Sequence, residues 1–254
     1  MAIDPELLEG LRDTRFACVE HLESCPSTQD LAAEGPDACV IWADRQTAGR
    51  GRQQRSWSSG GAVDVEVSFG IPTGGLSDPA LVPVVIPAAV VLALESCSGA
   101  KLQLKWPNDV LTDGRKLAGL LIDAHGSKAE RLVVGIGVNV GRVEFDEGLP
   151  AASFRTAGYA DISRSAVVTA LGRELDRAVG LLESQDPEAA LEASLGGLGS
   201  VFVDRLGLVG QSARIELIDG RALTAEVSDL DPRTCWLSDG TAIPLAEIER
   251  ARVE

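Results

Sequence analysis

The spacing of apolar residues changes twice along the chain, and those two changes dictate its layers. Between residues 39 and 139 the runs are of strand type. CVIWA (39–43) is a short continuous apolar run, while AVDVEVSFG (62–70) alternates and predicts Val63, Val65 and Val67 on one face. KLQLK (101–105) alternates as well, and AGLLIDA (118–124) and RLVVGIGVN (131–139), joined by the polar HGSKAE, predict a hairpin. One helix interrupts these strands: Asp78 is placed to cap it, Pro79 sits at its first position, and the Ala/Val/Leu-rich stretch runs to about Ser98. From Ser163 to Leu198 the spacing turns helical, with Val167, Leu171, Leu175 and Val179 four apart and Pro187 opening a second helix. Beyond it, short runs punctuated by Asp219-Gly220 and Asp239-Gly240 predict hairpins. The order points to an α+β fold rather than strict βαβ repetition. Residues 1–198 are expected to form the main domain and residues 199–254 a small barrel.

Charge narrows the function. The 254 residues carry 23 basic and 38 acidic side chains, a net −15, which opposes non-specific contact with DNA or RNA phosphates. The apolar run 81–94 is cut by Pro83 and Pro87, short of the roughly 18 residues a membrane span needs, so no membrane partner is expected. The opening MAIDPELLEG has neither the basic start nor the apolar stretch of a secretion signal. The five cysteines stand at no C-x-x-C spacing and the two histidines are isolated, so the expectation is a cytoplasmic protein without a zinc site.

Against that acidic background one basic island stands out. DRQTAGRGRQQRSW (44–57) holds Arg45, Arg50, Arg52 and Arg55, with Asp44 as its one acid, in a loop between two predicted strands. Glycines between arginines let amides and guanidinium groups converge on one anion, although such runs also occur in solvated loops. The second informative segment is KWPNDVLTDGRKLAG (105–119), which contains Lys105 and Lys116, two of only four lysines in a chain with 19 arginines. A compact ammonium is a different tool from a planar fork, and its placement here suggests a specific role. Pro107 and the Asn108-Asp109 pair mark a turn inside the segment.

Taken with Ser27-Thr28-Gln29 and Gly135-Ile136-Gly137-Val138-Asn139, the segments QTAGRGR (46–52), KWPND (105–109) and KLAG (116–119) resemble the biotin protein ligase family in content and order. The resemblance implies a mixed-sheet catalytic domain with a C-terminal SH3-like barrel. It also implies a two-step ligation: biotin and ATP give biotinyl-5′-AMP and pyrophosphate, and a lysine of a biotin carboxyl carrier domain then takes the biotinyl group. Carboxylate and α-phosphate repel by roughly 4 kcal/mol at about 4 Å and an effective dielectric near 20, so cations must offset that. The resemblance assigns Lys116, Arg50, Arg52 and Asp109 to catalysis. It assigns Ser27, Thr28, Gln29, Gln46, Gly49, Arg50, Gly51, Arg52, Lys116 and Gly119 to biotin, and Arg50, Arg52, Lys105, Trp106, Asn108, Asp109 and Asn139 to ATP and the adenylate. Magnesium is expected near Asn108 and the phosphates. Structural alternatives stand beside these roles: Ser27 as the N-cap of a helix from Thr28, Asp109 as a turn former, Trp106 as a core wedge, and Trp57 as packing for the end of the arginine loop.

Gln53 and Gln54 stand where the family commonly has Arg or His and then Gly, and Asp64 and Glu66 stand where it has Asn and an aromatic residue. Two carboxylates beside a pocket for an anion would oppose it, so either that strand face is turned to solvent or the pocket wall differs. Only 26 residues precede Ser27, too few for the DNA-binding domain of ligases that also repress transcription, so no DNA partner is expected. The rival readings are a lipoyl or octanoyl ligase of the same superfamily, which lacks the GRGR run and the barrel, and a noncatalytic biotin or adenylate sensor.

Overall fold

The computed structural model describes residues 3–126, 130–146, 148–159, 162–187, 189 and 197–254. Seven strands form one sheet: β1 (Val19–Leu22), β2 (Cys39–Ala43), β3 (Val65–Pro72), β4 (Gln103–Lys105), β5 (Asp109–Thr112), β6 (Arg115–His125) and β7 (Arg131–Val138). Their order is β1-β2-β3-β7-β6-β5-β4, with β1 and β2 parallel and the other pairs antiparallel. The predicted hairpin is the β6–β7 pair, with Leu120 opposite Ile136 and Gly119 opposite Gly137.

Alternation along β3 separates two environments. Val65, Val67, Phe69 and Ile71 enter the main core, which also holds buried residues of α1 (Pro5–Leu11), α3 (Val82–Ser98) and α4 (Arg164–Leu182). Glu66, Ser68 and Gly70 point the other way, toward α2 (Thr28–Glu34), which packs on β2, β3 and β7 over a smaller cluster of Ala32, Cys39, Ile41 and Val133. The C-terminal residues form a second, antiparallel sheet of β8 (Ser212–Leu217), β9 (Ala222–Leu230), β10 (Thr234–Leu237), β11 (Ala242–Pro244) and β12 (Ile248–Val253), in the order β11-β10-β9-β8-β12. The fold is α+β, as expected.

Several elements depart from the sequence reading. Val63 is 46% exposed and precedes the strand, because the Gly61 turn, with φ +72°, delays β3 to Val65. Pro83 and Pro87 do not divide the apolar run: Pro83 lies in the first turn, and Pro87 removes a hydrogen bond only one turn further on. The helical stretch Pro79–Ser98 thus has the length and composition of a membrane span, yet 67% of its most apolar window is buried within the protein. The Asp113-Gly114 turn, both residues at positive φ, pairs β5 with β6 and was not anticipated. Nor was α1, capped by Asp4 with Pro5 in its first turn. A further helix, α5 (Leu198–Leu206), packs on α3 where strand texture was expected. It is tied there by Arg205, which donates to both Glu95 carboxylate oxygens at 2.8 and 3.1 Å. The helix expected from Pro187 falls mostly outside the described residues.

Candidate active site

The polar face of the sheet is floored by glycines, and that absence of side chains makes room for a site. A Cβ on Gly135 would lie 2.3 Å from the Gln29 Oε1, and one on Gly137 would lie 2.3 Å from the Trp57 ring. Over this floor opens a cavity of about 620 Å³, lined by all the expected site residues except Gly49. Gly49 sits at the loop root, where a Cβ would meet the Trp57 carbonyl oxygen at 2.8 Å.

At one end lies a buried polar chain. The Thr28 N–H donates to Gln46 Oε1 at 2.8 Å, and the Thr28 hydroxyl lies 3.1 Å from that oxygen and 2.8 Å from Ser68 Oγ, to which it donates. Ser68 Oγ donates to Gln29 Oε1 at 3.1 Å, and Gln29 Nε2 donates to the Val133 carbonyl at 3.0 Å. Ser27 occupies the N-cap position of α2, as its structural alternative predicts, yet its side chain makes no cap hydrogen bond. It is 2% exposed and its Oγ has no partner among the described residues. A buried hydroxyl without a partner costs free energy that a bound polar ligand would recover.

The other end is cationic. Nine of the cavity's side chains are Arg or Lys and four are Asp or Glu, which reverses the sign of the whole molecule. Lys116 Nζ stands 2.6 Å from Asp109 Oδ1 and 5.4 Å from the centre of the Trp57 ring. Their backbones are brought together by pairing of β5 with β6, in which Asp109 faces Gly119. Arg50 is drawn outward to Asp30 at 2.5 Å. Arg52 and Lys105 are exposed and carry no ion pair among the described residues. Asn108 Nδ2 donates to the Leu120 carbonyl at 2.9 Å, which leaves its Oδ1 for a ligand. Asn139 directs its amide to the Lys116 and Ala152 carbonyls at 3.3 and 3.1 Å, so it holds the Lys116 backbone. Trp106 is 8% exposed and rivets the two sheets, its Nε1 donating to the Ile248 carbonyl at 2.7 Å.

Asp64 and Glu66 are not turned to solvent; they are 2% and 1% exposed. Asp64 Oδ1 accepts from the N–H groups of Val140, Gly141 and Arg142 at 2.9, 3.3 and 3.3 Å. Its Oδ2 accepts from Arg142 Nε at 2.9 Å, and Arg142 in turn donates to the Ser58 carbonyl at 2.6 Å. Glu66 Oε2 accepts from the Gln46 N–H at 2.9 Å, while Oε1 is buried without a partner among the described residues. Burial pushes the Glu66 carboxyl above its ordinary value, against the opposing pull of the nearby Ser59 and Gln46 polar groups, and raises the Cys25 thiol to about 11. The two carboxylates therefore anchor the roots of the arginine loop instead of facing a ligand. Sequence reasoning missed Ser68 in the polar chain. Trp57, expected only to pack the loop end, also roofs the glycine floor; strand alternation was a usable signal for Ser68.

Comparisons with known proteins show the family to which the chain belongs. A model of the biotin/lipoate A/B protein ligase family matches residues 23–139. The biotin–acetyl-CoA-carboxylase ligase of Mycobacterium tuberculosis is 30% identical over 210 residues, covering 79% of this chain and 73% of that protein. The bifunctional ligase/repressor BirA of Bacillus subtilis is 33% identical over 154 residues, and the match takes in 56% of this chain and 47% of that longer protein. Among solved structures, the biotin protein ligase from Aquifex aeolicus in complex with biotin and ATP superposes with a TM-score of 0.78 at 23% identity, covering 94% of this chain and 100% of that one, a likeness of fold. The chain belongs to the biotin/lipoate A/B protein ligase family. Within it, the chain stands with the biotin protein ligases.

Proposed function

We propose that the chain activates biotin with ATP and passes it to a lysine of a biotin carboxyl carrier domain. The observation that carries this is the cavity itself: a glycine-floored slot with an unpartnered buried hydroxyl at one end and Lys116, oriented by Asp109, within a cationic wall at the other. In the first step a biotin carboxylate oxygen bonds to the ATP α-phosphorus and the bond to the β-phosphate bridging oxygen breaks, releasing pyrophosphate. Lys116 stabilises the charge gathered between carboxylate and phosphate, and Arg50, on leaving Asp30, joins Arg52 on the same oxygens. In the second step the carrier lysine, as free amine, attacks the acyl carbon, loses a proton, and expels AMP. Ser27, Thr28, Gln29 and Gln46 form the polar end that receives the ureido ring, where buried partners give selectivity.

Among the described residues no group of three or more His, Cys, Asp or Glu side chains is placed to hold a metal. That fits magnesium, which keeps its waters and is held by one or two side chains together with phosphates. Asn108 Oδ1, with Asp109 beside it, would hold the ion, whose contribution is to neutralise phosphate charge. A cytoplasmic setting accords with five free thiols, and the net charge of −15 argues against a DNA partner. Mass spectrometry of a carrier domain incubated with the protein, biotin, ATP and magnesium should show one added biotinyl group. An unmodified carrier with no pyrophosphate released would retire the ligase in favour of a sensor, and preferential attachment of octanoate would point to the lipoyl branch.

A further inference from the structure

We propose that the small C-terminal sheet positions the arginine loop through a latch in which Gln53 is clasped between Glu249 and Arg250 of β12. Gln53 Nε2 donates to Glu249 Oε1, and Gln53 Oε1 accepts from Arg250 Nη2 at 2.8 Å. A primary amide presents a donor and an acceptor side by side, so it meets a carboxylate and a guanidinium at once, which an arginine, having donors alone, does not. Both contacts are charge-assisted and join residues almost 200 positions apart in sequence. Gln53 holds a left-handed backbone, φ 54° and ψ 40°, a conformation unfavourable for a residue with a Cβ and therefore one that needs holding from outside. The receiving side is itself braced, since Arg250 lies 3.8 Å from Glu216 of β8, which Arg214 approaches at 3.3 Å. Arg52 adjoins the clasped residue, so the latch sets where its guanidinium can stand over the cavity. Gln53 and Glu249 are positioning residues, and their part in the reaction rests on the ligase reading above.

The test separates the two claims. Amide hydrogen exchange is measured on the full chain without substrates, at Gly51 and Arg55, whose N–H groups donate to the Arg55 and Arg52 carbonyls. Exchange should be about five-fold faster in Gln53→Ala and in Glu249→Ala, near wild type in Glu249→Gln, and no faster in the double alanine variant than in either single one. With biotin, ATP and magnesium added, biotinyl-5′-AMP should leave both alanine variants about five-fold sooner while its synthesis changes less. Unchanged exchange, or additive effects in the double variant, would overturn the latch. Faster exchange with unchanged release of adenylate would overturn its part in the reaction. No adenylate formed by the wild type would overturn the ligase reading and leave the latch standing.

Discussion

The two faces of β3 differ in kind although they are made by the same eight residues. On the face that joins the main core with α1, α3 and α4, Val65, Val67, Phe69 and Ile71 are at most 1% exposed and pack within an apolar cluster. On the other face Glu66 and Ser68 are just as buried, yet each is occupied by named polar partners, and the adjoining strand contributes glycine at 135 and 137. One face gains stability from area removed from water; the other spends its burial on orientation, leaving volume where side chains would pack. Substitutions on the first face should therefore register as stability and those on the second as chemistry.

The largest expected effect lies on the apolar face. Phe69 is fully buried and meets Phe16 edge to face at 5.1 Å. Phe69→Ala should cost about 3–5 kcal/mol in denaturant unfolding, a large part of what holds a domain together, while the folded fraction keeps its biotin affinity. A folded Phe69→Ala protein that lost biotin binding as severely as stability would break the division between faces. Next is Lys116→Ala, on the site side: adenylate formation should slow about 10²- to 10³-fold by pyrophosphate release, with unfolding stability within about 0.5 kcal/mol of wild type. Near-normal release by the folded variant would remove Lys116 from the reacting centre.

How much of this was legible in the sequence depended on whether a residue's partners were near in the chain. The arginine loop, the Lys105–Asp109 turn and the strands around them are local patterns, and the structure gathers them at one cavity. Alternation placed Asp64 and Glu66 on one strand face but left open what that face met. Their partners, Arg142 with the amides of 140–142 and the Gln46 N–H, lie 76–78 and 20 residues away and have no sequence signature. The helix α5 was missed for another reason: its apolar Leu198, Val201, Phe202 and Leu206 keep helical spacing, but the glycines before it suggested a turn-rich strand region. Trp106, read as either nucleotide contact or core wedge, lines the cavity and also bonds to the second sheet, an answer that required both sheets in place.

The smallest expected effect refines the comparison at a single carboxyl. Glu66 keeps one oxygen on the Gln46 N–H and the other buried without a partner among the described residues, beside the Asp64–Arg142 pair and the neutral Cys25 thiol. Burial raises its pKa above the ordinary 4.5, with repulsion from Asp64 adding to the shift. The folded protein therefore binds more protons at this site than the unfolded chain between the two pKa values, so this group's contribution to stability is fully present below the ordinary value and is lost as pH rises through the raised one. Glu66→Gln retains an acceptor for the Gln46 N–H and has no charge to bury. Its unfolding midpoint relative to wild type should rise as pH is taken upward from about 4 and level off above the raised pKa, a dependence that thermal scans at several pH values would read directly. A constant offset across that range would mean that Glu66 ionises as it does in water, and that its buried oxygen finds a donor when charged.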